Sequence, residues 1–476
     1  MARNPALFRP RDTSTAEFDP DINVLLKLGF GLLLVDIFLT MSRALEILSL
    51  TFKVPIPYVG ISIHLMTFLA AFVNGGVRRV AGSRTGILVL LFTTWMMICA
   101  PLSIWRTGSL TTIVTQWLPA FSAFLACGTI VTLKQCHKIS VAVGTGGVVI
   151  AIASFYLGKI KFLRFEFDAG TLGNANELTL LLLLTAPFLL VPLFHNRSGS
   201  FTKLLSLAAC GIVLAVTFRA GSRGGLLALV AILITFFFTS SAMGKLKLGI
   251  AILSIVLFCG VMLPKYVLSR YMTLFTQAEN VDDPNLRAEA YGSTMQRKEL
   301  LRESLLTTLK HPLFGVGPGV FAAAQAREAD KEGVWRPWAV SHNAYTQVSS
   351  EMGIVGLIFY VLAILSTFRD VFWMRRNSRN EPSGYAYSLS LALLLSLVGV
   401  VVNFFFSSNA YVAWLPILMA LAITFRTSLQ RDLDRQESVP VRASGKPVLR
   451  PLAPPLPAPR YGAATYRFLR PRRTRG

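Results

Sequence analysis

The chain has 476 residues, 53% of them hydrophobic and only 15% charged, with a mean hydropathy of +0.56 and a formal net charge of +23. Soluble domains carry about 25% charged residues, and here the apolar residues gather in runs of roughly 17 or more, the length that crosses a bilayer core of about 30 Å. A soluble enzyme is excluded, and the expected fold is an all-α polytopic membrane protein of about 12 transmembrane helices, with one large external loop containing short amphipathic helices.

In chain order, residues 1–21, "MARNPALFRPRDTSTAEFDPD", are polar and lack a signal-peptide apolar stretch. They are expected to form a cytoplasmic segment, with the first apolar run kept as an anchor. Apolar windows then fall near 22–41, 56–75, 85–104, 113–132, 139–157, 176–194, 202–218, 224–240 and 247–264. These make a first bundle of about nine helices over 22–264. Windows near 350–368, 386–406 and 409–425 make a second bundle of about three helices over 350–425. Arg78, Arg79, Arg84, Lys134, Lys138, Lys245 and the run Arg369–Arg379 occupy alternate short loops, which puts those loops and the N-terminus in the cytoplasm.

Segment 265–349 is then external. It holds ten Lys/Arg against nine Asp/Glu, so it is no nucleic-acid surface. Segment 426–476 holds twelve basic residues against three acidic ones and includes the Pro-rich "PVLRPLAPPLPAPR". It reads as a disordered cytoplasmic tail attracted to anionic membrane lipids. The five cysteines follow no metal or disulfide spacing. Cys99, Cys127, Cys210 and Cys259 sit in apolar windows as small buried hydrophobes, and Cys136 in a short polar loop. Neither "DPD" (Asp19–Asp21) nor "DLD" (Asp432–Asp434) lies on the external side, and Asp282–Asp283 reads as a solvated turn, so no metal and no cofactor is expected. No repeat of 20–50 residues and no matched pair of broken helices marks a transporter.

Three polar clusters break the apolar pattern. "FRAGSRGG" (Phe218–Gly225) joins two windows on the external side, where Arg219 and Arg223 oppose the positive-inside bias. A glycine-rich turn that carries two guanidiniums and opens a helix is an anion site; an interfacial turn with snorkelling arginines is the plainer reading. "FEFDAGTLGNANELTLL" (Phe165–Leu181) starts as a strand or hairpin and then opens a helix, with Asn174 or Asn176 as cap and Glu177 in its first turn. The third cluster begins with an amphipathic helix that puts Leu301, Leu305 and Leu309 on one face and ends at His311-Pro312, followed by the turn-rich "GVGPG". About 25 residues on, "SHNAYTQVSSEMGIVG" (Ser341–Gly356) places His342, Asn343, Tyr345, Gln347 and Glu351 at the start of a span, with Gly353 and Gly356 inside it. A histidine titrates near operating pH and is a candidate acid or base. Glu351 either orients it or anchors the loop.

Taken in order, "GTLGNANELTLLLLL", "FRAGSRGGLLALV", "HPLFGVGPGVF" and "SHNAYTQVSSEMGIVGLIFY" resemble the O-antigen ligase and polymerase superfamily, membrane glycosyltransferases that use polyprenyl-diphosphate-linked glycans. The likeness covers roughly residues 160–370, and "GNANE" departs from the family's more usual Asn-Pro-Asn. It implies an inverting, metal-independent transferase of the inner membrane with a periplasmic active site. The donor would be a glycan on undecaprenyl diphosphate, and the acceptor a lipid core or another glycan. By the same resemblance Arg219 and Arg223 bind the diphosphate, His342 is catalytic, and Arg297 resembles a further family arginine. Asn176, Asn343 and Glu351 complete the candidate substrate contacts. Ligase, polymerase and protein glycosyltransferase share this pattern. A flippase of lipid-linked glycans is the rival from another class, and a non-catalytic scaffold the third.

Overall fold

The computed structural model describes residues 24–52, 57–161, 164–167, 172, 174–195, 198–246, 249–250, 252–253, 263–274, 284–334, 338–378 and 384–438. Most of them are helical. The first half runs through α1 (Val24–Ser42), α2 (Ala44–Phe52), α3 (Pro57–Val73), α4 (Gly76–Ala81) and α5 (Arg84–Cys99). Next come α6 (Arg106–Thr112), a π-turn (Ile113–Trp117), α7 (Leu118–Ala126) and α8 (Leu133–Leu157). An antiparallel hairpin follows, β1 (Lys159–Lys161) with β2 (Arg164–Glu166), in register Ile160 opposite Phe165. The second half holds α9 (Ala175–Leu189), α10 (Val191–Phe194), α11 (Ser200–Arg219), α12 (Arg223–Thr239), α13 (Lys265–Met272), α14 (Pro284–Lys310), α15 (Phe321–Lys331), α16 (Ala344–Asn377), α17 (Tyr385–Asn403) and α18 (Trp414–Ser438).

Seven of the described helices are long and apolar enough to cross a membrane, α1, α8, α9 with α10, α11, α16, α17 and the Arg106–Thr129 stretch, and α3, α5 and α12 are shorter apolar helices. The ninth expected window, 247–264, falls largely outside the described residues, as do 1–21, Asp282–Asp283 and Cys259. The centre of the bundle is α9, whose "LTLLLLLTAPFL" (Leu178–Leu189) is mostly apolar and buried all round, packed between α8, α12 and α17. Leu183 of α9 meets Ala228, Leu229 and Ile232 of α12 and Leu391 and Leu395 of α17 in one apolar cluster. Two buried carboxylates of the bundle have basic partners, which offsets part of their desolvation. The Asp36 carboxylate meets His64 Nδ1 at 2.8–2.9 Å, and Asp370 holds Arg426 and accepts from Thr85 Oγ1 at 3.3 Å.

Three sequence expectations change. Cys136 lies not in a loop but buried in the first turn of α8. Thr132 and Gln135 form a reciprocal capping box that starts the helix ahead of the apolar window. The helix expected to stop at Phe425 runs on to Ser438, so residues 426–438 are not tail; Leu, Gln and Arg there are good helix formers, and the rest of the tail lies outside the described residues. α18 passes the end of one compact unit at Asp432, and Leu433–Ser438 belongs to a second, terminal unit. In α14, Leu301, Leu305 and Leu309 are exposed, and the buried face is Leu300, Ser304, Thr307 and Thr308 instead. Polar partners decide this: Thr308 Oγ1 bonds Ser349 Oγ of α16 at 2.8 Å, and Thr307 Oγ1 accepts from Gln325 Nε2 of α15 at 3.1 Å.

The feature that positions the site is a break in α16. Gly353 has φ +70° and ψ −175°, outside the helical region. Three carbonyls lose their partners one turn on, and the strip 312–319 and α5 replace them. Val316 N–H donates to Ser350 O (2.9 Å), Gly317 N–H to Glu351 O (2.9 Å) and Trp95 Nε1–H to Met352 O (2.9 Å). Ile354 N–H donates in turn to Pro312 O at 2.8 Å. A Cβ at position 353 would stand 2.0 Å from Leu313 O. Gly353→Ala is therefore expected to lower stability by about 1–2 kcal/mol from the left-handed backbone alone, and by more from the clash. Gly211→Ala, where a Cβ meets nothing within 4 Å, is expected to raise it by roughly 0.5–1 kcal/mol. Thermal unfolding of the two purified variants beside the wild type checks both.

Candidate functional site

Two of the polar clusters meet at the ends of α9, α11 and α12. α11 stops at Arg219, Gly221 turns the chain at φ +64°, and Ser222 caps α12 by accepting from Gly225 N–H at 3.1 Å. The Ser222 hydroxyl donates to Asn176 Oδ1 at 2.7 Å, so Asn176 is buried against this turn. Asn174 is the cap of α9, accepting from Asn176 N–H and Glu177 N–H at 2.9 and 3.0 Å. α13 closes the turn from outside. Tyr271 O–H donates to Phe218 O at 2.8 Å, and the buried Arg270 donates through Nε to Gly221 O at 2.8 Å. A Cβ on Gly225 would sit 2.1 Å from Thr179 Cγ2, and one on Gly224 2.6 Å from Phe406 Cβ, so both glycines are contact points for neighbouring elements.

The two arginines of the turn have different surroundings. Arg219 lies over the ring of Phe165 (4.6 Å to the centroid) and beside that of Phe155 (5.2 Å), and no carboxylate neutralises it among the described residues. Arg223 reaches Thr273 Oγ1 at 3.4 Å and Ser293 Oγ on α14. Ser293 and Arg297 are four residues apart and share a face of that helix, which brings Arg297 toward the same turn.

The third cluster surrounds the start of α16. His342 carries a positive φ, +52°, in the left-handed region that a non-glycine residue seldom occupies. Asn343 caps α16, its Oδ1 accepting from Tyr345 N–H (2.9 Å) and Thr346 N–H (3.1 Å). The buried Glu351 ties three segments together: Oε2 accepts from Gly319 N–H (2.8 Å) and Tyr411 O–H (2.6 Å), and Oε1 from Phe321 N–H (3.2 Å). Of the two readings of Glu351, these contacts describe the anchor. Gln347, one turn earlier, accepts from Ala410 N–H at 3.3 Å. Outside the bundle, Lys310 at the end of α14 pairs with Glu328 of α15 at 2.8 Å and holds its carboxyl below the usual range.

Between these segments lies a cavity of about 150 Å³. Its buried wall is Gln347, Glu351, Tyr411 and Ser341, and its exposed rim includes Gln116 and Trp338. Gln116 projects from the π-turn, where Leu118 N–H donates five residues back to Ile113 and Pro119 has no N–H to give. Such turns recur at functional sites.

One segment joins the two halves of the site. Phe406 packs on Gly224, Phe404 O accepts from Ala344 N–H at 2.8 Å, and Ser408 Oγ bonds Ser341 Oγ at 3.2 Å. The Arg219–Arg223 turn and the His342 loop therefore stand at one end of the bundle, on two flanks of Phe404–Ser408. The cavity belongs to the His342 flank; neither arginine lines it. Sequence reading missed Tyr411, Gln116, Trp338, Arg270 and Tyr271. "SSNAY" after an apolar window is the one local signal for Tyr411; the others carry none.

Residues 208–361 match the protein family described as O-antigen ligase. The match takes in the arginine turn, α14 with Arg297, the strip 312–319 and the chain from His342 through Glu351, and leaves Asn176, Gln116 and Tyr411 outside. A comparison with curated proteins finds no match.

Removing a buried acceptor that holds three donors is expected to cost on the order of 3 kcal/mol in Glu351→Ala, against roughly 1–2 kcal/mol in Tyr411→Phe, which removes one donor only. Unfolding of the purified variants measures the difference; equal losses would mean that Glu351 does not hold the 319–321 turn.

Proposed function

We propose, from the match of residues 208–361 to the family described as O-antigen ligase, that this membrane protein transfers a glycan from undecaprenyl diphosphate to an acceptor hydroxyl, a lipid core or another glycan, on the periplasmic face of the inner membrane. The observation that carries the reading is the shared segment Phe404–Ser408, which sets a turn bearing two guanidiniums beside a loop bearing a histidine.

In this reading the donor's diphosphate lies on the N-terminal end of α12, where helix dipole, backbone N–H groups and Arg223 favour an anion. Arg219 and Arg297 add charge from α11 and α14. The acceptor hydroxyl gives its proton to the imidazole of His342 as its oxygen bonds to the anomeric carbon. The carbon–oxygen bond to the phosphate breaks on the opposite side, and the electron pair leaves on the diphosphate. Positive charge develops on the sugar and negative charge on the leaving group, and the guanidiniums meet the latter where it forms. The anomeric configuration inverts because one displacement occurs. The left-handed backbone at His342 is a strained conformation of the kind that persists where neighbouring structure holds it, and here Asn343, Ala344 and Ser341 are all bonded.

Three outcomes test the proposal in membranes supplied with lipid-linked donor. His342→Ala is expected to lose roughly 10²–10⁴-fold in transfer, the usual contribution of a positioned base, with protein level unchanged; normal transfer removes His342 from the role. Arg219→Ala and Arg223→Ala are expected to weaken donor binding by about 10–100-fold, the worth of a charge-assisted hydrogen bond, and Lys at either position to recover only part of it, because an ammonium lacks the bidentate fork. Transfer is expected to survive chelation by EDTA; a loss restored by Mg²⁺ assigns the charge stabilisation to a metal instead.

A further inference from the structure

The cavity that Ser341, the neighbour of His342, helps to line has a composition that the diphosphate does not need. Its wall carries one carboxylate, Glu351, an amide, Gln347, and the hydroxyls of Ser341 and Tyr411, with a second amide, Gln116, at the exposed rim. No cation lines it. Amides donate and accept at once, and carboxylates and hydroxyls add acceptors, which suits a ligand dense in hydroxyl groups and repels a phosphate. At the rim, Trp338 is 65% exposed and meets the 48% exposed Trp105 edge to face at 6.3 Å. An exposed indole face is electron-rich and attracts the weakly positive C–H face of a sugar ring. The volume of about 150 Å³ is that of a cavity known to take one benzene ring, the space of a single six-membered ring.

Position selects which sugar. The arginine turn lies on one flank of Phe404–Ser408 and the cavity on the other, with Ser341, the neighbour of His342, in its wall. In a single inverting displacement the acceptor oxygen approaches the anomeric carbon from the side opposite the departing phosphate. We propose that this cavity is the acceptor subsite: it holds the terminal sugar of the acceptor glycan, stacked on Trp338 and hydrogen-bonded by Gln116 and Gln347, with its hydroxyl presented to His342. The inference rests on the transferase reading given above.

The test uses full-length protein in nanodiscs and, as probe, the host's surface glycan freed from its lipid by mild acid, with binding followed by titration calorimetry. Wild type is expected to bind saturably, Trp338→Ala and Gln116→Ala to bind about tenfold more weakly, the worth of one aromatic or hydrogen-bond contact, and Arg223→Ala to bind as wild type does. Absence of saturable binding, an unchanged affinity in Trp338→Ala, or an equal loss in Arg223→Ala overturns the subsite. Transfer from lipid-linked donor by the same preparations separates the two ideas. Transfer by wild type without Trp338-dependent glycan binding leaves the enzyme and removes the subsite; Trp338-dependent binding without transfer leaves a glycan site and removes the enzyme.

Discussion

A carbonyl that loses its helix partner among apolar side chains must find another donor, since water does not reach it. At Gly353 three carbonyls are in that position, and Val316, Gly317 and Trp95 supply the donors. Most of the candidate site's geometry follows from this repair. The strip 312–319 is drawn into the bundle end, its glycines allow it to lie against Glu351 and Thr112 without side chains in the way, and the chain that continues from it is held at Gly319 and Phe321 by the Glu351 carboxylate. The short helix before the break then carries Asn343, Gln347 and Glu351 as a rigid unit, with His342 at its head.

Positive charge at an apolar edge is the second constraint. Arg219 has no carboxylate among the described residues and rests on two phenylalanine rings, a contact worth about 0.5–2 kcal/mol. A guanidinium held this way keeps its donors for a ligand. Arg270 differs: it is buried and spends its Nε–H on Gly221 O, which holds the turn in shape. Two arginines close together in space thus do different work, and burial with its hydrogen-bond partners separates them.

The transferase reading makes the two flanks of Phe404–Ser408 complementary. Cations and a helix N-terminus lie on one flank, and hydrogen-bonding groups and an exposed indole on the other, which the histidine loop shares. Group transfer between a charged donor and a hydroxylated acceptor calls for that division, because a single polar pocket would hold both substrates with one kind of contact and orient neither.

Features that depend on neighbours along the chain were legible in the residues alone. Apolar run lengths foretold helices long enough to cross a membrane, Asn174 or Asn176 and the Ser222 turn marked helix starts, "FLRFEFD" marked a strand or hairpin, and the four motifs in order pointed to the family later matched over 208–361. Propensity, capping and hydropathy act within a turn or two, so they are written locally. The tertiary structure alone decided which face of α14 is buried, because Ser349 and Gln325 offer hydrogen bonds to its threonines and nothing local favours them over Leu301, Leu305 and Leu309. It alone gathered Gln116, Trp338, Glu351 and Tyr411 around one cavity. A partner hundreds of residues away leaves no trace in the local pattern, and contacts of that kind form only when the whole bundle closes.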